Sequence, residues 1–370
     1  MQAAVDAVRL VDHHVHGVVG ADLDSAALTA GLTESPWPAP AGTTHLDSQL
    51  GFAVRRWCAP VLDLPPHADP AAYLARRAEL GATEVARRLL AASGVEWLLV
   101  ETGYRADELL APDAMAGLAG ARAAEVVRLE AVAEAVAASG VDATGFAAAY
   151  EEALHARVRG AVGVKSVIAY RCGLDFDPEP PDTREVRDAA GRWLRAGGRL
   201  ADPVLLRHVL WAGVGTGLPL QVHTGFGDPD LTPHRADPSL MTGFLRLVQD
   251  RVPVLLLHCY PYHRVAGWLA AVFPHVHLDV GLAVNYTGAR CRQVVAESLE
   301  VAPFGKVLFS SDAFGPPELH LLGAVLWRRA MGQLLGGWVD DGDWSLADAV
   351  RVAEMIGSGN ARRVYGLGSS

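Results

Sequence analysis

The stretch VRLVDHHVH (8–16) gives the first indication of the fold, because an apolar run ends there in histidines. Short apolar runs that alternate with helical patterns are typical of βα units and a parallel sheet. In a parallel barrel the carboxyl ends of the strands meet at one mouth, so polar side chains there converge. Four more runs end in a polar, ligand-type side chain: AVGVKSVIAY (161–170), LPLQVHTGFGD (218–228), VPVLLLHCY (252–260) and KVLFSSDAFG (306–315).

The alternation predicts an α/β fold, a (β/α)8 TIM-type barrel that residues 1–370 form as a single domain with extra C-terminal helices. Residues 17–93 lack a strand pattern and are too long for an ordinary βα loop. We therefore predict that they form a helical cap insertion after strand 1, beside the mouth. An open doubly wound sheet is the alternative, although the absence of GxGxxG and GxxxxGK[ST] removes its nucleotide-binding versions. The predicted strands are 8–14, 95–101, 126–130, 161–169, 218–223, 252–258, 275–281 and 306–312.

The composition indicates which kinds of partner the chain is not expected to bind. The chain has 370 residues, 51% of them hydrophobic, and a net charge of −10, with no basic run, so we expect no nucleic acid partner. The stretch 1–16 lacks the basic region and apolar core of a secretory signal, and no apolar stretch reaches the roughly 20 residues that cross a bilayer. Its four cysteines are scattered without a CxxC pair. We expect a cytoplasmic protein with no membrane partner, of a size compatible with a homodimer.

His14 and His16 are the first candidate metal ligands. Two residues apart on a strand, they point to the same face, which in a barrel is the interior. For an isolated HxH the simpler interpretation is a polar strand end with solvated histidines. Histidines or carboxylates at the ends of three further runs, His223, His258 and Asp312, favour a metal site instead. Imidazole and carboxylate ligands suit a divalent ion such as zinc, manganese or iron.

Lys165 lies inside an apolar strand, where a lysine is rarely buried without a partner. Three interpretations are open. The lysine could carry a carbamate that bridges two metals, or bind a substrate carboxylate as an ammonium, or pair with Glu101 or Glu130. The two glutamates close strands 2 and 3, so either could also support a ligand histidine.

Arg171 follows the fourth run and could bind a substrate carboxylate through its bidentate fork. The alternative is an ordinary loop salt bridge with Asp175. The small-molecule substrate that these residues would bind is not identified by the sequence. Further candidates for substrate binding are Tyr170, Tyr260, Tyr262, Glu101 and Glu318.

Several segments resemble one known group of proteins. KSVIAYRCGL (165–174), QVHTGFGD (221–228) and FSSDAFGPPE (309–318) are similar to the amidohydrolase superfamily, of the amidohydrolase-2 type. The similarity is to the amidohydrolase-like domain that nodulin-type proteins carry beside a glutamine-synthetase-like domain. It is dense from about residue 160 onward and thinner before that. Supporting segments are DHHVH (12–16), ETGY (101–104), VVRLE (126–130), LLLHCYPYHRVAGWLA (255–270), HLDVGLA (277–283) and GNARRVYGL (359–367).

The resemblance implies a barrel with a binuclear metal centre. In such a centre His14, His16 and Asp312 would hold one metal. His223 and His258 would hold the second, with Lys165 bridging as a carbamate. Asp312 would also take a proton from the metal-bound water, as a catalytic residue. In single-metal relatives the residue equivalent to His258 leaves the metal and assists the substrate, so one or two ions per chain are both open.

Three functions follow from these residues. A metal-activated water would cleave an amide, or less readily an ester or thioester, of a small carboxylate-bearing compound. The association with glutamine-synthetase-like partners implies γ-glutamyl amides by analogy alone. A mononuclear metal-dependent decarboxylase or lyase on the same barrel is the alternative. A non-catalytic binding protein is the third, and the complete ligand set speaks against it.

Overall fold

The computed structural model describes residues 1–368 and contains a curled sheet of seven parallel strands. Each strand pairs with the next in chain order, from β1 to β7. This is an α/β fold of the TIM type. The strands are β1 (Leu10–Val15), β2 (Val95–Glu101), β3 (Arg122–Arg128), β4 (Gly163–Ser166), β5 (Leu220–His223), β6 (Val254–Leu257) and β7 (Val276–Leu278).

Helices lie between the strands and cover their outer faces. The described α-helices are α1 (Gln2–Asp6), α2 (Ser25–Ala30), α3 (Gln49–Ala53), α4 (Ala59–Val61), α5 (Pro70–Leu80), α6 (Ala82–Ser93), α7 (Pro112–Ala119), α8 (Leu129–Ala138), α9 (Phe146–Arg157), α10 (Ile168–Arg171), α11 (Thr183–Ala196), α12 (Pro203–Gly215), α13 (Thr242–Leu247), α14 (His263–Val272), α15 (Gly281–Thr287), α16 (Cys291–Ser298), α17 (Pro317–Asp340), α18 (Leu346–Glu354) and α19 (Asn360–Tyr365). Across residues 1–368, no helix is both long and apolar enough to cross a membrane.

The predicted eighth strand, 306–312, is not a regular strand. Within it Val307 forms a single parallel bridge to Leu278 at the end of β7. Farther along, the amide of Asp312 donates to the carbonyl of His14 in β1, at 3.1 Å. The backbone of Asp312 turns to φ 47°, outside the extended region. The segment nevertheless connects both edges of the sheet and brings Asp312 beside β1.

Only β2 has the predicted bounds, and two of the differences change the position of candidate site residues. Strand β3 ends at Arg128, and Glu130 lies in the first turn of α8 instead of at a strand end. Strand β4 ends at Ser166, so Tyr170 and Arg171 lie in the short helix α10 that follows it. In both cases a helix begins shortly after the strand. The apolar run continues from one into the other, so the sequence does not show where the strand ends.

The segment 17–93 contains the helices α2 to α6, which irregular stretches separate. Helices α5 and α6 are distinct because Gly81 between them adopts φ 76°. Glycine reaches this left-handed region without the steric cost that other residues incur.

A buried ion pair connects this segment to the helix that follows Asp312. Nε of Arg77 in α5 lies 2.6 Å from Oε1 of Glu318 in α17, and the hydroxyl of Tyr73 donates to the same oxygen at 2.8 Å. The Glu318 side chain is fully buried by these partners. Glu318 is therefore a structural residue here, and our suggestion that it binds substrate is wrong, because its carboxylate is already used.

We expect Glu318→Ala to lower the free energy of unfolding by about 3–5 kcal/mol, because it leaves the Arg77 guanidinium buried without its partner. The measurement is the midpoint of chemical denaturation. The control is Glu84→Ala, which removes a surface partner of Arg87 and Arg88 and should shift the midpoint much less. Equal shifts of the midpoint for the two variants would contradict this prediction.

Candidate metal centre

The centre of the site is formed by two histidines of β1 and one aspartate. Asp312 Oδ1 lies 3.0 Å from Nε2 of His14 and 3.6 Å from Nε2 of His16. One ligand atom from each of the three side chains lies within 4.8 Å of the other two, and all three residues are buried. The predicted set His14, His16 and Asp312 is thus brought together by the fold.

Lys165 of β4 points into the same group. Its Nζ lies 2.7 Å from Nε2 of His14 and 3.3 Å from Nε2 of His16. Burial lowers the pKa of Lys165, so the neutral amine is more accessible here than on a surface lysine. Neither Glu101 nor Glu130 is its hydrogen-bond partner among the described residues: Glu130 accepts from Ser166, and Glu101 contacts His16 and Arg128.

His258 and His223 complete the cluster on its other side. Nδ1 of His258 lies 3.1 Å from Oδ2 of Asp312, and the His258 ring is 4.4 Å from that of His223 between centroids. Burial, with His258 and Lys165 nearby, keeps the pKa of His223 well below its ordinary value, so this ring is neutral. His258 adopts φ 63°, as unusual a backbone conformation as that of Asp312. Such conformations persist where the surrounding structure holds them, and they cluster at functional sites.

A buried carboxylate lies behind each histidine of the HxH pair. Oε2 of Glu101 is 3.2 Å from Nδ1 of His16, and Oδ2 of Asp279 is 3.6 Å from Nδ1 of His14. A carboxylate on this side places the ring proton on Nδ1 and directs the lone pair of Nε2 towards a metal. Glu101 is therefore a support for His16, also bonded to Arg128, and not a substrate ligand.

Sequence reasoning missed Asp279, although it closes the run HVHLDV just as Asp312 closes its own. Its Oδ1 accepts from the backbone amides of His258 and Gly281, at 3.0 and 2.8 Å. Burial would raise the pKa of Asp279, but His13 and His14 hold it well below its usual range. A second set of potential ligand atoms combines Asp279 with His14 and His258. Because Asp279 already accepts two backbone bonds, we interpret it as an orienting group and not as a ligand.

Below the site, a hydrogen-bond chain runs from Asp279 to the last helix. Gln221 Nε2 donates to the hydroxyl of Tyr365 at 2.8 Å, and that hydroxyl lies 3.0 Å from Nδ1 of His13. Since the hydroxyl accepts from Gln221, its own proton goes to His13, which places the ring proton of His13 on Nε2. Nε2 of His13 lies 3.1 Å from Oδ2 of Asp279. A proton donated by Tyr365 would thereby favour the His13 tautomer that carries its ring proton on the nitrogen facing Asp279.

The donor set fits a divalent metal ion. Nε2 of His223 and Oδ1 of Asp312 are both buried and have no hydrogen-bond partner within residues 1–368. Buried polar atoms are expensive unless a partner uses their lone pairs. Imidazole nitrogens together with a carboxylate oxygen are ligands of zinc, manganese and iron. If these two atoms coordinate an ion, the ion uses the lone pairs that have no hydrogen-bond partner.

A cavity of about 150 Å³ opens directly above these residues. Tyr170 and Arg171, two of the predicted substrate-binding residues, line it. The Tyr170 ring lies 4.3 Å from that of His223, and its hydroxyl occupies the space where a side chain on Gly227 would begin, 1.9 Å from such a Cβ. Only glycine at 227 allows this approach.

The environment of Arg171 distinguishes the two interpretations of this residue. Asp175, the proposed loop partner, is paired with Arg235 at 2.7 Å, so that interpretation is wrong. The Arg171 side chain is 9% exposed, its Nε has no hydrogen-bond partner in the described chain, and the nearest carboxylate, Glu134, is 3.8 Å away.

Tyr262 is placed elsewhere. Its hydroxyl donates to the carbonyl of Pro233, at 3.1 Å, and it is absent from the described residues that line the cavity. Several other lining residues were not predicted, because they do not lie where an apolar run ends in a ligand-type side chain. These are Glu34, Tyr104, Arg128, Arg199, Asp228, Leu282 and Phe314.

Fold and site together define a metal-binding α/β barrel protein. The family model described as amidohydrolase matches residues 11–367. The chain belongs to the amidohydrolase family.

Two kinds of relative accompany this match. The chain is 33% identical over 221 residues to protein fluG of Emericella nidulans, which covers 56% of this chain and 26% of that protein. The chain thus matches about a quarter of the length of this relative. It is also similar to the crystal structure of a Lactobacillus casei ATCC 334 protein, which is described as an inferred metal-dependent hydrolase. That similarity has a TM-score of 0.86 and 28% identity, over 99% of this chain and 97% of that one.

More distant structures share the fold alone. Uronate isomerase of Thermotoga maritima is 13% identical, with a TM-score of 0.64 over 98% of this chain and 96% of its own. Glucuronate isomerase of Caulobacter crescentus is 15% identical, with a TM-score of 0.65 over 100% and 93%.

We expect Asp279→Asn to weaken zinc binding about 10- to 100-fold, because the orienting carboxylate behind His14 loses its charge. Competition with a chromophoric chelator measures the dissociation constant. Tyr365→Phe should weaken binding by less, since it leaves Asp279 in place and removes only the proton donor to His13. Asp113→Asn, on the exposed first turn of α7, is the control. An unchanged zinc affinity in a folded Asp279→Asn protein would disprove the orienting role.

Proposed function

We propose that this protein is a metal-dependent hydrolase that cleaves the amide bond of a small carboxylate-bearing substrate. The observation that carries the proposal is the placement of His14, His16 and Asp312 around one point at the floor of a cavity, with Lys165 beside them. Membership of the amidohydrolase family supports the same reaction class, as does the likeness to the Lactobacillus casei protein. Ester or thioester cleavage would use the same residues.

His14, His16 and Asp312 would hold the first ion, and His223 with His258 a second. Zinc is the first candidate, with manganese or iron as alternatives. A bound divalent ion lowers the pKa of water to about 7 and polarises a carbonyl oxygen.

The side chains supply the proton transfer. Burial would raise the pKa of Asp312, but the nearby His258 and His14 hold it well below its ordinary range, so Asp312 is an ionised acceptor. It would accept the proton of the attacking water and pass it to the leaving nitrogen. His258, 3.1 Å from Oδ2, orients that oxygen while Oδ1 faces the two histidines of β1.

The chemical state of Lys165 would determine whether the centre holds one ion or two. The chain has 32 Lys and Arg residues in total, and only Lys165 and Lys306 are lysines. An arginine keeps its charge under all conditions, whereas a buried lysine readily becomes neutral and can then react with carbon dioxide. We propose that Lys165 carries a carbamate when metal is bound, in which form it would help to hold a second ion.

The substrate carboxylate would bind at Arg171, whose guanidinium lines the cavity and has an unused Nε. A bidentate arginine–carboxylate pair adds both affinity and orientation. Glu34 reaches the same cavity from the segment 17–93, which would act as the cap of a single barrel domain. A cavity of about 150 Å³ admits only a small molecule.

The hydrolase proposal is tested with succinyl and glutaryl p-nitroanilides and zinc-loaded protein. We expect release of p-nitroaniline, its loss after chelation, and a fall in kcat of at least about 100-fold for Asp312→Asn, because the proton acceptor is removed. The exposed Asp343→Asn is the control. Undiminished turnover by Asp312→Asn, or turnover that survives complete removal of metal, would contradict the proposal.

The lyase alternative is separated by the fate of solvent oxygen. Hydrolysis in heavy-oxygen water places one solvent oxygen in the carboxylate product, whereas decarboxylation places none there. Release of carbon dioxide from a carboxylate-bearing substrate, without solvent oxygen in the other product, would favour the lyase.

The carbamate is tested by carbon NMR of protein loaded with zinc in labelled bicarbonate. We expect one carbamate resonance, because burial favours the neutral amine at Lys165. Lys165→Arg keeps the charge and should lose both the resonance and one zinc ion per chain. Lys306→Arg, remote from the cavity, should keep both. A spectrum without the resonance in wild-type protein would leave Lys165 as a free amine and favour the single-ion centre.

A further inference from the structure

The cavity above the metal centre carries charges of both signs at its outer part. Arg171 and Arg199 supply positive charge, and Asp228 supplies negative charge. The proposed amide hydrolysis needs none of these three residues for the chemical step. Their charges therefore indicate which charged groups the non-reacting part of the substrate carries.

The two arginines leave room for an anion. The Arg171 side chain is only 9% exposed, and its Nε has no hydrogen-bond partner within the described residues. Burial lowers the pKa of Arg171, and Arg199 acts in the same direction. Both arginines line the same cavity. Arg199 is more exposed and also bonds Asp230 at 2.7 Å. Two neighbouring guanidiniums, one with an unused donor, are a site for a carboxylate.

Asp228 lies beside this pair and is half-buried. Burial raises its pKa, while the amide of Asp230 and then Arg199 and Arg171 act to lower it. Asp228 lines the same cavity as both arginines, and Arg199 bonds Asp230, two residues farther along the chain. One of its oxygens, Oδ1, accepts from the amide of Asp230 at 2.9 Å. A substrate carrying only carboxylates would be repelled by Asp228, because like charges at short range oppose binding.

We propose that the head group of the substrate is an α-amino acid zwitterion. Its carboxylate binds Arg171 and Arg199, and its ammonium binds Asp228. The two charges of such a head group are attached to a single carbon, so the protein groups that recognise them must be neighbours, as these are. This inference rests on the proposed function and deepens it, since the scissile amide would be carried elsewhere on the same amino acid.

The test measures binding by calorimetry, on zinc-loaded protein, for two matched pairs of compounds. L-aspartate is compared with succinate and L-glutamate with glutarate, which differ only in the α-ammonium. We expect the better-bound amino acid to bind at least tenfold more tightly than its diacid. Asp228→Asn should abolish that preference while leaving the diacid affinity unchanged or higher. Asp113→Asn, on the surface of α7, should keep the preference.

Equal or weaker binding of both amino acids relative to their diacids would overturn the proposal, and so would the absence of binding by all four compounds. An unaltered preference in a folded Asp228→Asn protein would also overturn it. These outcomes are independent of turnover. If the anilides are not hydrolysed but the preference and its loss in Asp228→Asn are observed, the hydrolase proposal fails and the zwitterion site stands.

Discussion

The backbone of residues 307–313 is bonded to β7 at Val307 and to β1 at Asp312. Because this segment joins the two edges of the curled sheet, side chains from opposite ends of the chain become neighbours. Asp312 lies against His14 for this reason, and the position of Asp312 relative to His258 follows from it. A metal centre assembled from separate strands requires that all of them end at one level, which a barrel mouth provides.

Orientation is a second requirement, and here it is met by buried charge. Glu101 and Asp279 each face the Nδ1 of one ligand histidine. Burying such carboxylates costs free energy. Their contacts with histidines, a buried arginine or backbone amides offset that cost. The protein thereby aims two lone pairs at one point with groups that never touch the substrate.

The ligand residues could be predicted from sequence because strand ends in a parallel sheet converge, whatever the loops between them do. The same rule would have found Asp279 had it been applied to the seventh run. It misplaced Glu130, which begins a helix, because an apolar run does not reveal where a strand gives way to a helix. Glu34 could not be predicted, since nothing local marks which residue of the long irregular stretch between α2 and α3 turns towards the cavity. Tyr262 shows the reverse error, a residue near the right strand whose hydroxyl is bonded elsewhere.

The contact between His13 and Tyr365 spans 352 positions of the chain. Long-range contacts of this kind form late in folding, because a large loop must close before they contribute. During synthesis the histidines of β1 leave the ribosome first and must wait for Tyr365 before the tautomer of His13 is set. An ion that arrives before Asp312 is synthesised would also meet an incomplete set of ligands, so the complete centre can form only after the chain has been translated beyond that residue.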